Sequence, residues 1–416
     1  MPTPKSQEMH GTHASPGMPF AEFVVMIAAL MALNALALDV MLPALPEIGA
    51  ALNIENENDR QQVLVAYLLG FGGAQLFYGP ISDSIGRRGI LLGGLVVYAL
   101  ASVGSLLSDT LDQLLIARFV QGVGCAATRV IAVSVVRDCF TGRQMGKVMS
   151  LVMMIFMAVP IIAPSVGQAI LLLSNWHWIF SMLLFAGLAM LIWCWIRLPE
   201  TLPKEYRQRF DIQTIFMAYA KTVTTRVSLG YTLATTFVFG GLFSFITMSQ
   251  QIFVDIFDLG VWFPVVFAAI AIAMSITSFM NARLVEALGM RRLSHTACLV
   301  FSTTGIILYA LASAGIENLY VFTLLAGILM ACFGFVGANF NSMAMEPLGD
   351  IAGTASSVIG FVTTLGGALL GYMMGQLFNG TTQPLGLAFS LYGLAALACI
   401  LYAEGGSLFK ARHSVN

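Results

Sequence analysis

Uninterrupted apolar runs of about twenty residues recur twelve times along this chain of 416 residues, and no other feature restricts its fold as strongly. A helix of about twenty apolar residues crosses the hydrocarbon of a bilayer. Lipid offers no hydrogen bonds, so each run must satisfy its own backbone as an α-helix. The runs are continuous rather than alternating, which excludes a β-barrel. Hydrophobic residues make up 58% of the chain and charged residues only 10%. A soluble domain is about a quarter charged, so the missing solvent for this surface is lipid. The fold class is an all-α polytopic membrane protein of twelve transmembrane helices, embedded in a lipid bilayer.

The spans extend from Phe20–Pro43 to Leu385–Tyr402, the fifth covering Val148–Leu172. Lys and Arg gather in alternate loops: the opposite loops hold only Arg60, and Arg118 and Arg129 fall inside a span. Basic loops stay on the cytoplasmic side, which places both termini there. The longest loop between spans divides them six and six. The chain reads as a cytoplasmic tail 1–19, a six-helix bundle 20–197, a cytoplasmic loop 198–227, a second six-helix bundle 228–404 and a cytoplasmic tail 405–416. Within the loop, Ile212–Tyr219 has the pattern of a short amphipathic surface helix. The halves echo one another: Asp83, Gly86 and Arg88 recur as Glu286, Gly289 and Arg291, each 203 residues later. Two parallel six-helix repeats around a central cavity is the plan of alternating-access carriers.

Several classes of chemistry find no support. Net charge is -1 and no basic stripe runs through the chain, so no nucleic-acid partner is expected. The six cysteines (Cys125, Cys139, Cys194, Cys298, Cys332 and Cys399) form no CxxC pair and read as packing residues. His10 and His13 lie in the polar first tail and read as solvated rather than metal-binding. No GxxxxGK[ST] loop occurs, so no metal, cofactor or ATP drive is expected, and the chain is not an enzyme.

Five motifs carry a resemblance. Asp39-Val40-Met41-Leu42-Pro43-Ala44-Leu45-Pro46 ends the first span. Gly79 to Arg88 joins the second and third. Arg118-Phe119-Val120-Gln121-Gly122-Val123-Gly124 lies in the fourth, Ala163-Pro164-Ser165-Val166-Gly167 in the fifth, and Leu198-Pro199-Glu200-Thr201-Leu202 follows the sixth. Together they resemble the major facilitator superfamily, and more narrowly its Bcr/CflA branch of drug:proton antiporters. Departures fall in the fifth-span motif, where Ala163 and Gln168 stand in place of Gly, and at Met41, where tyrosine is common. The sixth span opens Trp176-His177-Trp178, where an aromatic-Arg-aromatic run is usual. The resemblance implies that Gly79, Asp83, Gly86, Arg87 and Arg88 form a gating loop, with Asp83 against the start of the eleventh helix near Gly353. It also implies that Arg118 couples protonation to conformation, and that Gln121, Gly122, Pro164 and Gly167 pack helices.

Among single residues, Asp39 is the acid deepest in a span. An isolated carboxylate there costs several kcal/mol, and an environment alternating between dry and cation-paired is what proton coupling requires. Arg118 sits at similar depth and is its expected partner. Arg129 lies eleven residues further, about 16 Å at about 1.5 Å per residue. It either faces the cavity, drawing anionic or polar substrate, or pairs with Glu22. Asn34, Gln250, Asn339 and Asn341 complete the candidate substrate residues, and the second half shows no charged residue deep in a span. These features point to a monomeric carrier of the bacterial inner membrane that exports drug-like or other small organic molecules in exchange for protons. The alternatives are an exporter of a specific metabolite or siderophore-like product, and a membrane sensor or scaffold that no longer transports.

Overall fold

The computed structural model describes residues 17–207 and 211–409, and among these it contains helices and turns but no strand. His10 and His13 lie outside the described residues. The first half comprises α1 (Phe20–Asp39), α2 (Leu45–Ala51), α3 (Gln62–Ile85), α4 (Arg87–Leu106), α5 (Leu111–Cys139), α6 (Gly142–Phe156), α7 (Val159–Leu173) and α8 (His177–Arg197). After α9 (Ile212–Thr224), the second half comprises α10 (Arg226–Gln250), α11 (Phe263–Leu288), α12 (Met290–Ser313), α13 (Leu319–Met345), α14 (Ala352–Gly375) and α15 (Gln383–Glu404). Twelve spans result, with α1 and α2 forming the first and α6 and α7 the fifth.

Two spans depart from straight helices. The first runs past Pro43 through a 3₁₀ turn at Leu42–Ala44 into α2. The fifth breaks at Met157 and Ala158, just before Pro160, because proline has no N–H and its ring crowds the preceding turn. Pro164 is buried further along α7. After α10 the chain widens into a π-helical turn at Gln251–Ile256.

Backbones approach closely where glycine replaces a side chain, as membrane packing favours. A Cβ on Gly122 would collide with the Tyr67 carbonyl, so α3 and α5 touch along their main chains. Gln121 donates to Ser102 Oγ at 2.8 Å, tying α5 to α4. A Cβ on Gly167 would strike the Val40 carbonyl and lie 3.0 Å from the Pro43 ring, so α7 grips the end of the first span.

The halves meet along α3 with α14 and along α7 with α11. One end of the molecule carries Arg87, Arg88, Arg197 and Arg291 and is called here the basic end. The other carries Asn58, Gln61, Gln251 and Gln376 and is called the amide end. α9 lies at the basic end against α10 and α14, and Tyr219 on it donates to the Leu76 carbonyl of α3 at 2.7 Å. The amphipathic helix expected at 212–219 therefore forms, runs five residues longer, and bridges both halves.

Candidate functional site

Asp39 is the last residue of α1 and is buried. Its carboxyl makes no hydrogen bond or ion pair with any described residue. The expected pairing with Arg118 is not present. Arg118 is fully buried and satisfies itself with neutral acceptors: Ala37 O at 3.0 Å, Val63 O at 3.2 Å and Gln121 Oε1 at 2.6 Å. Its guanidinium also lies 4.5 Å from the Tyr67 ring centroid. The physical reason is the helix end. The last carbonyls of a helix lack intrahelical partners and carry partial negative charge, so the C-terminus of α1 takes the place of an acid. Arg118 thus holds the turn that bears Asp39, two residues away, without neutralising it. Tyr67 in turn donates to Asn34 Oδ1 at 2.9 Å, which links this cluster to a half-buried amide on α1.

Arg129 does not pair with Glu22. Glu22 is held bidentately by Arg197, at 2.7 and 2.6 Å, and accepts from Trp193 Nε1 at 3.3 Å. Arg129 is half-buried, forms no hydrogen bond or ion pair with any described residue, and leans toward Phe71 at 6.0 Å. Gln250 is buried with its Nε2 unbonded. Asn339 is committed to packing, since it donates to Asn281 Oδ1 at 2.7 Å and to Phe335 O at 2.8 Å, which ties α13 to α11. Asn341 is exposed toward the basic end of α13.

At the basic end, Arg87 is buried between two acids, 2.6 Å from Asp83 and 3.0 Å from Asp138, and donates to Ser82 Oγ at 2.7 Å. Asp83 therefore pairs within its own loop rather than with the start of α14. A Cβ on Gly353 at that start would instead lie 3.2 Å from Arg137 Nη1. Gly86 turns the chain at φ +122°, which favours glycine, and Glu200 caps the following helix by accepting from the Arg87 and Arg88 amides at 2.8 and 3.3 Å. A carboxylate at a helix N-terminus is stabilising. Arg88 donates to Trp195 O at 2.6 Å, and Thr201 to Asp138 at 3.1 Å. The loop reaches the other half through Gly79, whose Cβ would lie 2.5 Å from Ser357 Oγ.

The second half repeats this arrangement. Gly289 turns at φ +79°, and Arg291 lies between Glu404 at 2.8 Å and Glu346 at 3.2 Å. Tyr231 donates to Glu404 at 2.6 Å and lies 3.0 Å from His295 Nε2, while His295 Nδ1 accepts from the Phe409 amide at 3.2 Å. His295 and Glu404 are both buried, so the second half does hold ionisable groups inside its spans. They went unnoticed in the sequence because both lie within six residues of a span end.

Sequence reasoning also missed the amide end. Gln61 donates to Gln251 Oε1 at 2.6 Å and to Gly375 O at 3.2 Å. Gln251 donates to Asn58 Oδ1 at 2.9 Å, and Asn58 donates to Gln376 O and Phe378 O at 3.2 and 3.0 Å. Gln376 returns a bond to Asn58 O at 3.0 Å. Every one of these joins one half to the other, so this end is closed. The only signal in the sequence was the density of amides between Asn53 and Gln62, which names no partner.

Comparison with known proteins agrees with this architecture. A bicyclomycin resistance protein homolog of Haemophilus influenzae is 30% identical over 91% of this chain and 95% of its own length. The uncharacterized transporter YdgK of Bacillus subtilis is 32% identical over 91% and 93%, and multidrug resistance protein D of Escherichia coli is 26% identical over 91% and 94%. Among solved structures, the xylose transporter XylE of E. coli superposes with a TM-score of 0.72 at 13% identity, over 95% of this chain and 99% of that one. The human organic anion transporter MFSD10 gives 0.65 at 17%, over 93% and 100%. These two bear on the fold alone. Residues 27–371 match the sequence profile of the Major Facilitator Superfamily, and the chain belongs to that family of membrane transporters, alongside the bicyclomycin- and multidrug-resistance relatives.

Proposed function

We propose that this transporter is a monomeric inner-membrane exporter of drug-like or other small organic molecules, driven by protons entering in exchange. The residues 20–197 and 228–404 act as two rocking halves. The positive-inside rule assigns the basic end and both termini to the cytoplasm, so the amide end faces outward and is closed in this conformation. The relatives' names, bicyclomycin resistance and multidrug resistance, support the substrate class.

The observation that carries the reading is Asp39, a buried carboxyl with no partner among the described residues, at the end of a helix one of whose last carbonyls, Ala37 O, is held by Arg118. Leaving charge there costs several kcal/mol, so taking up a proton and burying this turn are linked. Each charge moved inward gains about 2.3 kcal/mol per 100 mV of membrane potential. A single-metabolite exporter is the second reading, favoured by the unpaired Arg129. A drug-susceptibility panel in an efflux-deficient host separates the two: broad resistance supports the first, resistance to no drug the second. In proteoliposomes, Asp39→Asn should abolish uphill export driven by a pH gradient while sparing downhill exchange. Uphill export retained in that variant would overturn the proton role.

A further inference from the structure

The two arginines inside α5 stand in opposite situations. Arg118 is enclosed and has three acceptors and an aromatic face. Arg129 is flanked along its helix by the fully buried Cys125, Ala126, Thr128, Ile131 and Ala132, yet its own side chain is partly open. Taking a guanidinium from bulk water costs several kcal/mol unless acceptors replace the water, and none of the described residues supplies one here. The three acids on the helices of this half near the basic end are all engaged: Glu22 with Arg197, Asp83 and Asp138 with Arg87.

The direction in which Arg129 leans is also informative. Its guanidinium lies over Phe71 of α3, and α3 is the helix that meets the other half. One residue on, a Cβ at Gly72 would lie 3.0 Å from the Leu365 backbone, and Gln75 reaches Thr364 at 3.4 Å. The side chain therefore sits beside the seam between the halves, where a carrier passes its cargo, and not on the lipid face.

A guanidinium presents five donors in a planar fork that matches a carboxylate or sulfonate with two parallel bonds. Phe71 behind it is buried and forms a fixed apolar wall for the guanidinium. We infer that Arg129 is an oxyanion subsite of the substrate passage, and that the molecules this protein handles best are amphiphilic organic acids or zwitterions whose acidic group binds Arg129. The inference rests on the export of small organic molecules proposed above and specifies their chemistry.

A rhodamine dye bearing a free carboxylate and its methyl ester differ in this one group. Their binding to the purified full-length protein in nanodiscs is read by fluorescence anisotropy. Wild type should bind the acid about tenfold more tightly than the ester. Arg129→Gln should remove that preference while ester affinity stays within about twofold, which also reports that the variant is folded. Arg129→Lys should retain part of it, since the charge remains and the fork is lost. Ester binding without a preference for the acid in wild type, or a preference unchanged in Arg129→Gln, overturns the subsite alone. Binding of neither dye counts against the broader reading of a passage for such molecules.

Discussion

The two ends of this transporter are held in different ways. At the amide end every contact in the cluster is a neutral hydrogen bond, and every one crosses between the halves. At the basic end the helices are clamped by ion pairs, and among the described residues those between helices lie inside one half: Arg87 with Asp83 and Asp138, Arg197 with Glu22, Arg291 with Glu346 and Glu404. On the rocking cycle proposed above, the difference follows from what must break. A neutral hydrogen bond exchanged for water costs about 1 kcal/mol net, whereas separating a buried ion pair strands a charge at a cost of about 3–5 kcal/mol. A seam that opens in every cycle suits the first kind. Clusters that travel with a rigid half suit the second.

Breaking the ionic cluster should have the largest effect. Arg87→Gln leaves Asp83 and Asp138 without their shared cation and should destabilise the protein by about 3–5 kcal/mol, seen as a large fall in melting temperature in detergent. Spin labels at the exposed Glu55 and Asn379 should meanwhile report an unchanged distance across the amide end. The double variant Asn58→Ala, Gln61→Ala should do the reverse. Losing five neutral side-chain bonds, each worth about 0.5–1 kcal/mol net, shifts the closed-to-open balance by at least about sixtyfold, so a longer Glu55–Asn379 distance should become populated while melting changes little. An unchanged distance distribution would show that the amides do not hold this end.

Asp83→Asn sharpens the comparison from its weak side. Asp83 is partly exposed and pairs with Arg87 one turn away, and such pairs contribute about 1 kcal/mol or less. Stability should barely change. A shift in the distance between labels on α3 and α14 at the basic end would mean that Asp83 reaches α14 in another conformation.

Much of this was legible in the chain. Twelve spans follow from run length, because lipid permits only helices. The repeat was visible in Asp83-Gly86-Arg88 and Glu286-Gly289-Arg291, and the glycines at both junctions do adopt positive φ. The site was less legible, because pairings depend on which atoms a fold brings together. Depth along the chain placed Asp39 and Arg118 at one level, but sequence does not show that a helix end can stand in for an acid. Glu22 found Arg197, the nearer cation at the basic end, rather than Arg129. The bond from Gln61 to Gln251 spans 190 residues and has no local pattern at all. Asn339 was singled out as a polar residue in an apolar span, yet Asn281 on the neighbouring helix takes it up.

Proton exchange at Asp39 is the claim on which the rest depends, and it can be measured without a membrane. Purified protein in weakly buffered detergent solution, mixed with a substrate identified in the resistance panel, should release protons detectable by a pH dye, and Asp39→Asn should bind the same substrate and release none. Equal proton release from wild type and Asp39→Asn would contradict the account.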